Sequence, residues 1–288
     1  MAAETNTIMK EDVARVRAVD FNYQFTGNLS KFMELLGITR KIAVQEGTTL
    51  KALKVTGTLE SGVVAEGELI PLSHYETQEV PMGEAKLNKW RKGTTAEAIL
   101  KGGYEQAVGA TTDKAVKDIQ KGIRTSFVAY LANGTGKASG ASLQEALADG
   151  WGQLQVLWED DAVETVYLLN PLDVADYLGS AQVTMQTVFG LNYIENFLGL
   201  GTVILSSNVP KGKYYATAKE NIIAYYVNVA SGDIATAFKL TVDETGYIGI
   251  REYLDEDHAR VMDLIMSGID FFPERIDGIV VGTIGAGA

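Results

Sequence analysis

Residues 203–227 read VILSSNVPKGKYYATAKENIIAYYV. A short β-prone run enters the turn PKGK and re-emerges as a second run, KYYATA, with Pro and Gly as punctuation. KENIIAYYV follows with apolar residues at helical spacing, so the order read here is strand, turn, strand, helix. No pair of side chains in the stretch forms a catalytic pattern. Well-punctuated structure without a site raises the question of purpose.

Upstream the same regularity continues. Ser142-Leu143-Gln144-Glu145 is a capping box opening a helix whose apolar side is Leu147, Trp151, Leu154 and Trp158. AVETVYLLN reads as a buried strand, and NPLDVADYL as a short helix with Pro171 in its first turn. Helices and strands thus alternate over 142–229, which predicts a compact α/β subdomain. GTGKASGAS before it reads as a flexible link. Further back, Thr111 or Thr112 is placed to cap the longest helix. Its Val116, Ile119, Ile123, Phe127, Tyr130 and Leu131 share one face, and Asn133-Gly134 ends it. Thr94-Thr95-Ala96-Glu97 opens a shorter helix. Downstream, 238–284 reads as strands joined by turns, with ten acids against three bases between Asp243 and Asp277.

Residues 40–92 differ in character. RKIAVQEGTTLKALKV, GTLESGVVAEGELIPLS and HYETQEVPMGEAKLNKW read as β-prone runs broken by Gly and Pro. Charge is sorted along them. Arg40–Lys54 holds four bases and one acid, Val55–Ala85 six acids and no base, and KLNKWRK then supplies Lys86, Lys89, Arg91 and Lys92. With few large apolar residues, the segment reads as an extended hairpin reaching away from the core. Oppositely charged patches of this kind set orientation and partner choice between subunits. Arg40, Lys41, Lys51, Lys54, Glu66, Glu68, Glu76, Glu79, Lys89 and Arg91 are the candidate inter-subunit residues. Before this segment, Val13, Val16, Val19 and Phe21 form a weak stripe, and Leu29, Phe32, Leu35 and Leu36 predict a short helix ended by Gly37. Such an arm has too little core of its own and is expected to lie on something else.

Composition narrows the classes. The chain has 288 residues, 46% of them apolar, enough for one large domain or two modest ones. Its formal net charge of −12 repels phosphate backbones and argues against reading DNA or RNA sequence. The absence of cysteine removes disulfides, thiolate zinc sites and cysteine nucleophiles, and fits a reducing cytosol. Neither a signal peptide nor a membrane span is expected.

Specific chemistry is not found either. GTGKAS at 134–139 follows a helix and lacks the spacing of a Walker loop, with Leu131 and Ala138 at the required positions. GLGTVI at 199–204 lacks the third Gly of a dinucleotide fingerprint. There is no G-x-S-x-G elbow. His74 and His258 are far apart, and His258 beside Asp257 reads as a surface His next to an acid. LDEDH at 254–258 lacks calcium-loop spacing. No catalytic residue, metal site or cofactor is assigned, and the chain is expected not to be an enzyme.

The order of parts and five pieces of text do carry a resemblance: VVAEGELIPLSHY (63–75), LNKWRKGTTAEAI (87–99), VYLLNPLDVADYL (166–178), GTVILSSNVPKGKYYATAKENIIAYYV (201–227) and FFPERIDGIVVGTI (271–284). Across nearly the whole chain they resemble major capsid proteins of tailed bacteriophages with the Hong Kong 97-type fold. The resemblance implies an α+β fold with an N-terminal arm at 1–37 and an extended β-hairpin loop at 38–86. A peripheral domain would combine 87–135 with 235–265, with Thr112–Leu131 as spine helix. An axial α/β domain would combine 136–234 with 266–288 and its closing strand. VILSSNVPKGKYYATA would then be a hairpin of the axial domain, and KENIIAYYV a packed helix near the centre of a capsomer.

Function follows from the same resemblance. Identical subunits would form pentamers and hexamers and close into an icosahedral head around double-stranded phage DNA, without sequence-specific grip. Lys117, Lys121 and Arg124 are candidates to face that DNA. The implied location is the virion, after assembly in the host cytoplasm. Partners would be further copies of the chain, a separate scaffolding protein, a portal and decoration proteins. Some relatives crosslink Lys to Asn; no matching triad is assigned here. An encapsulin-like compartment and a cytosolic α+β enzyme are the alternatives.

Overall fold

The computed structural model describes residues 10–158, 163–180, 184–231 and 233–285. It opens on one 26-residue helix, α1 (Lys10–Leu35), where the sequence predicts only a short helix near its end. Ala18, Phe21, Phe25, Leu29, Phe32, Met33 and Leu36 are buried at spacings of three and four, so a single apolar face runs along it. Val19 points to solvent. The side chains of Val13 and Val16 lie outside the described set. Gly37 ends the helix at φ +67°, with its N–H donating to Glu34 and that of Ile38 to Met33. That is the Schellman pattern, which needs a left-handed residue at this point.

After β1 (Lys41–Val44), β2 (Thr49–Thr58) and β3 (His74–Glu84) form a two-stranded antiparallel hairpin of their own. Most of GTLESGVVAEGELIPLS is the loop between them and not a strand. β4 (Asn88–Thr95) belongs to another sheet, and α2 (Ala96–Gly102) follows with the Thr95 side chain accepting from the Ala98 N–H. A π-helical turn at Glu105–Gly109 runs directly into α3 (Ala110–Leu131). Neither Thr111 nor Thr112 caps it. The helix is already running, so their hydroxyls donate back to the carbonyls of Ala107 and Val108.

GTGKASGAS is not a link. It holds β5 (Gly136–Gly140), an edge strand lying against α4 (Leu143–Leu157). A Cβ at Gly140 would overlap the backbone of Ala146, so this close approach requires glycine. The Ser142 capping box is present: Ser142 accepts from the Glu145 N–H, and Glu145 accepts from Ala141. Trp151, expected on the buried side, is exposed, because Gly150 faces Tyr214 and Leu147 and Leu154 fill the core.

The quoted stretch lies around β6 (Thr165–Leu169), whose five residues are all buried. After α5 (Pro171–Ser180) come β7 (Gln186–Val188), β8 (Leu191–Phe197), β9 (Gly201–Leu205) and β10 (Lys213–Ala218). β9 and β10 are not a hairpin. β6 lies between them, parallel to β9 and antiparallel to β10, because a strand buried throughout needs a hydrogen-bonded neighbour on each side. The turn joining them is tied across β6 to the start of α5. Asn170 Nδ2 donates to Val209 O at 2.7 Å, and the Gly212 N–H donates to Asp173 Oδ2 at 2.8 Å. KENIIAYYV is likewise no helix. A single 3-10 turn leads into β11 (Ile222–Val227), the middle strand of a three-stranded sheet. With both edges paired, a run of six apolar residues is buried as a strand.

A short α6 (Asp233–Ala237) precedes β12 (Thr241–Val242), β13 (Ile248–Asp255), β14 (Arg260–Ser267), β15 (Ile269–Pro273) and β16 (Ile279–Ile284). The sheets run β1-β11-β15, β5-β16-β10-β6-β9-β8-β7 and β12-β13-β14-β4. β16 enters the large sheet between β5 and β10, closing it from the far end of the chain. One core joins α1 and α3 to the three-stranded sheet, with Phe32 stacked on Phe189 at 5.0 Å and edge-on to Phe271 at 5.8 Å. Phe189 and Gly190 form a two-residue turn with both φ positive. The strain at Phe189, about 1–3 kcal/mol, is offset by that stacking and by Arg124, which donates to the Phe189 carbonyl and covers its ring. A second core lies between α4 and the large sheet, and a third at the root of the hairpin.

Candidate inter-subunit surface

The hairpin of β2 and β3 exposes residues along most of its length. At its tip Leu59, Val63, Leu69, Ile70 and Leu72 are 69–94% exposed. The sequence reading took the charges of this segment and passed over these apolar residues. Their signal was an apolar set broken by Gly and Glu, without the alternation that would bury it in a sheet. Isolated exposed apolar residues need no explanation, whereas five within one loop make this tip a candidate interaction surface.

The root of the hairpin is held by buried Leu50, Ala85 and Leu87. Beside it lies a cavity of about 250 Å³ lined by Leu50, Gly83, Glu84, Lys86, Tyr130 and Asp270, among others. Burial pushes the Asp270 carboxyl up to about 7, although it accepts from the Phe271 N–H at 3.1 Å and from the Tyr130 hydroxyl at 3.3 Å. Burial, together with the nearby Asp270 charge, raises the Tyr130 hydroxyl and keeps it a donor.

Several candidate charges are paired within the chain. Arg40 forms a two-pronged pair with Glu274, whose carboxyl it holds below the ordinary range. Lys51 pairs with Glu79 across the hairpin. Lys89 lies 3.9 Å from Glu46, both more than half exposed, a contact worth little in water. Glu68 accepts from the Ala65 N–H within the tip. Lys41, Glu66, Glu76 and Arg91 are exposed. The side chain of Lys54 lies outside the described set, its backbone opposite Gln78. Arg124 is half-buried on Phe189, whereas Lys117 and Lys121 are exposed.

The groups weighed for chemistry sit apart. His258 is exposed on a turn with Nδ1 3.1 Å from Asp255, whose carboxyl Arg260 and His258 hold below the usual range. Among the described residues no group of three or more His, Asp or Glu is placed to hold a metal, and no helix is long and apolar enough to cross a membrane.

Neither a protein-family profile nor a curated protein matches the sequence. Solved structures match over most of the chain. The virus-like particle from Pyrococcus furiosus aligns with 91% of this chain and 97% of its own, at 15% identity and a TM-score of 0.53. The capsid of cyanophage P-SCSP1u aligns over 85% and 86%, at 7% identity and a TM-score of 0.55. The holo-SrpI encapsulin complex from Synechococcus elongatus aligns over 87% and 86%, at 11% identity and a TM-score of 0.52. The fold is therefore the Hong Kong 97-type shell fold, and the α+β expectation is borne out. Likeness at these identities is one of architecture.

Proposed function

We propose that this chain is the major capsid protein of a tailed bacteriophage, forming pentamers and hexamers that close into an icosahedral head around double-stranded DNA. The observation that carries the reading is the exposed apolar tip on a hairpin built out from a shell-type fold. A solvated monomer has no use for it, and a neighbouring copy would cover it. Residues 1–37, 38–86, 87–135 with 235–265, and 136–234 with 266–288 then serve as arm, extended loop, peripheral domain and axial domain. The net charge of −12 keeps the inner wall from gripping its cargo. A separate scaffolding protein, a portal and decoration proteins are the partners this reading assigns. A second reading, an encapsulin-like compartment around a protein cargo, is supported by the likeness to the Synechococcus complex.

Electron microscopy of the protein, expressed alone and with its neighbouring genes, tests the proposal. Closed shells of uniform size are expected, with terminase and portal genes nearby for the head and a cargo-enzyme gene for the compartment. A compact monomer at high concentration in both preparations overturns both readings.

A further inference from the structure

We infer that the cavity at the root of the hairpin binds a primary ammonium group, held against the Asp270 carboxylate. The inference goes beyond the shell-forming reading and does not depend on it. The cavity, about 250 Å³, lies where four elements meet. Asp270 and Phe272 line it from β15, Ser126 and Tyr130 from α3, Tyr225 from β11, and Glu84 from the end of β3.

An ionised carboxylate has about four acceptor positions. At Asp270 the Phe271 N–H fills one on Oδ1 at 3.1 Å, and the Tyr130 hydroxyl one on Oδ2 at 3.3 Å, long for a bond to a charged oxygen. Among the described residues no Lys, Arg or His pairs with it. Lys86 lines the same cavity, yet its side chain is exposed. A carboxylate taken out of water without a cation is costly, and the group answers by keeping its proton, burial pushing it up to about 7. A cation entering the cavity removes that cost.

Chemistry selects the ligand. Asp270 and Glu84 repel anions. A divalent metal lacks ligands, since no group of three His, Asp or Glu among the described residues is placed to hold one. A guanidinium uses both carboxylate oxygens for its fork, and each already accepts a bond. An ammonium is a compact point charge with three donors, and one oxygen suffices for it. Tyr130, stacked on Phe272 at 4.0 Å, and Tyr225, edge-on to that ring at 5.9 Å, supply aromatic walls that attract a cation. The same ammonium chemistry is offered by a soluble alkylamine and by a lysine of another chain.

Cation and proton compete for one carboxylate. The other charged and titratable groups of the lining are Glu84, Lys86, Tyr130 and Tyr225. Burial raises both tyrosines and keeps them neutral, so Asp270 is the group whose charge changes near pH 7.

The test titrates the unassembled subunit with n-butylammonium chloride, against sodium chloride at equal ionic strength, and follows the Phe271 amide signal by NMR. A saturable shift is expected, with an affinity that rises about tenfold from pH 6 to pH 8, as the ionised fraction of Asp270 does. Asp270→Asn should abolish the shift in a folded subunit, and Glu84→Gln should change the affinity by less than about twofold. No saturable shift in the wild type, an unchanged titration in Asp270→Asn, or equal binding of tetramethylammonium, which has no N–H donor, overturns the proposal. Where particles form, carbodiimide coupling of Asp270 to a lysine of another chain supports the proposal and assigns a side-chain source. An Asp270 that stays uncoupled, with the butylammonium shift present, supports it and assigns a soluble amine. Coupling to Lys86 of the same chain shows the cavity filled from within and overturns it.

Discussion

Replacing Asp270 with Asn tests the electrostatics at the root of the hairpin. The carboxyl is neutral more readily in the folded chain than in the unfolded one, because its burial beside Tyr130 and Phe271 raises it to about 7. Below about pH 4 it is protonated in both states and has no effect on the folding equilibrium. Between about pH 4 and 7 the folded chain keeps a proton that the unfolded chain has lost, so stability falls as pH rises, by about 1.4 kcal/mol per unit. The cumulative loss is about 4 kcal/mol, and it persists above pH 7, where both states are ionised. Urea denaturation of the unassembled subunit from pH 4 to pH 8 measures it, with Asp270→Asn as the neutral, nearly isosteric reference. The stability difference between wild type and variant should move in the variant's favour by up to about 4 kcal/mol over that range. Other groups titrate equally in both proteins and cancel. A difference that stays constant with pH, or that moves in favour of the wild type, refutes the assignment.

Four further outcomes are expected. Phe32→Ala should destabilise the subunit by about 3–5 kcal/mol in the same assay, whereas a loss below about 1 kcal/mol would mean that α1 is not part of the core. Gly282→Ala places a Cβ inside the Tyr214 ring and should leave little soluble folded protein, with normal yield and melting temperature as the contrary result. Val63→Ser, Leu69→Ser and Leu72→Ser together should abolish particles in electron micrographs while shifting subunit stability by no more than about 0.5 kcal/mol. Lys89→Glu with Arg91→Glu should block shell formation with the circular dichroism spectrum unchanged, and particles of normal size would show that these charges do not join subunits.

Local signals in the sequence were legible where the physics is local. The Ser142 cap, Pro171 in the first turn of α5 and the Gly37 terminus each depend on a few neighbouring residues, and each stands where its motif sits; the cap of α2 falls on Thr95, one residue past the Thr94 that its capping-box spacing selects, because Thr94 is still in β4. The spine face of α3 was readable for the same reason, since Val116, Ile119, Ile123 and Phe127 need only the helical period. The apolar tip was missed because a loop has no period to read. Hairpin-root burial of Asp270 involves residues from 50 to 272, which no window of sequence joins.

By itself, then, the sequence determined the punctuation of this protein: where most of its helices start and stop, and where its charges are sorted. Tertiary structure alone decided that β6 separates β9 from β10, that IIAYYV is a strand between β1 and β15, and that GKASG is an edge strand against α4. Capping and helical periodicity are contests among residues a few positions apart. Sheet pairing is decided by hydrogen bonds to partners such as Ile279 and Phe272, brought in from far along the chain, and an apolar run takes whichever conformation those partners leave open to it.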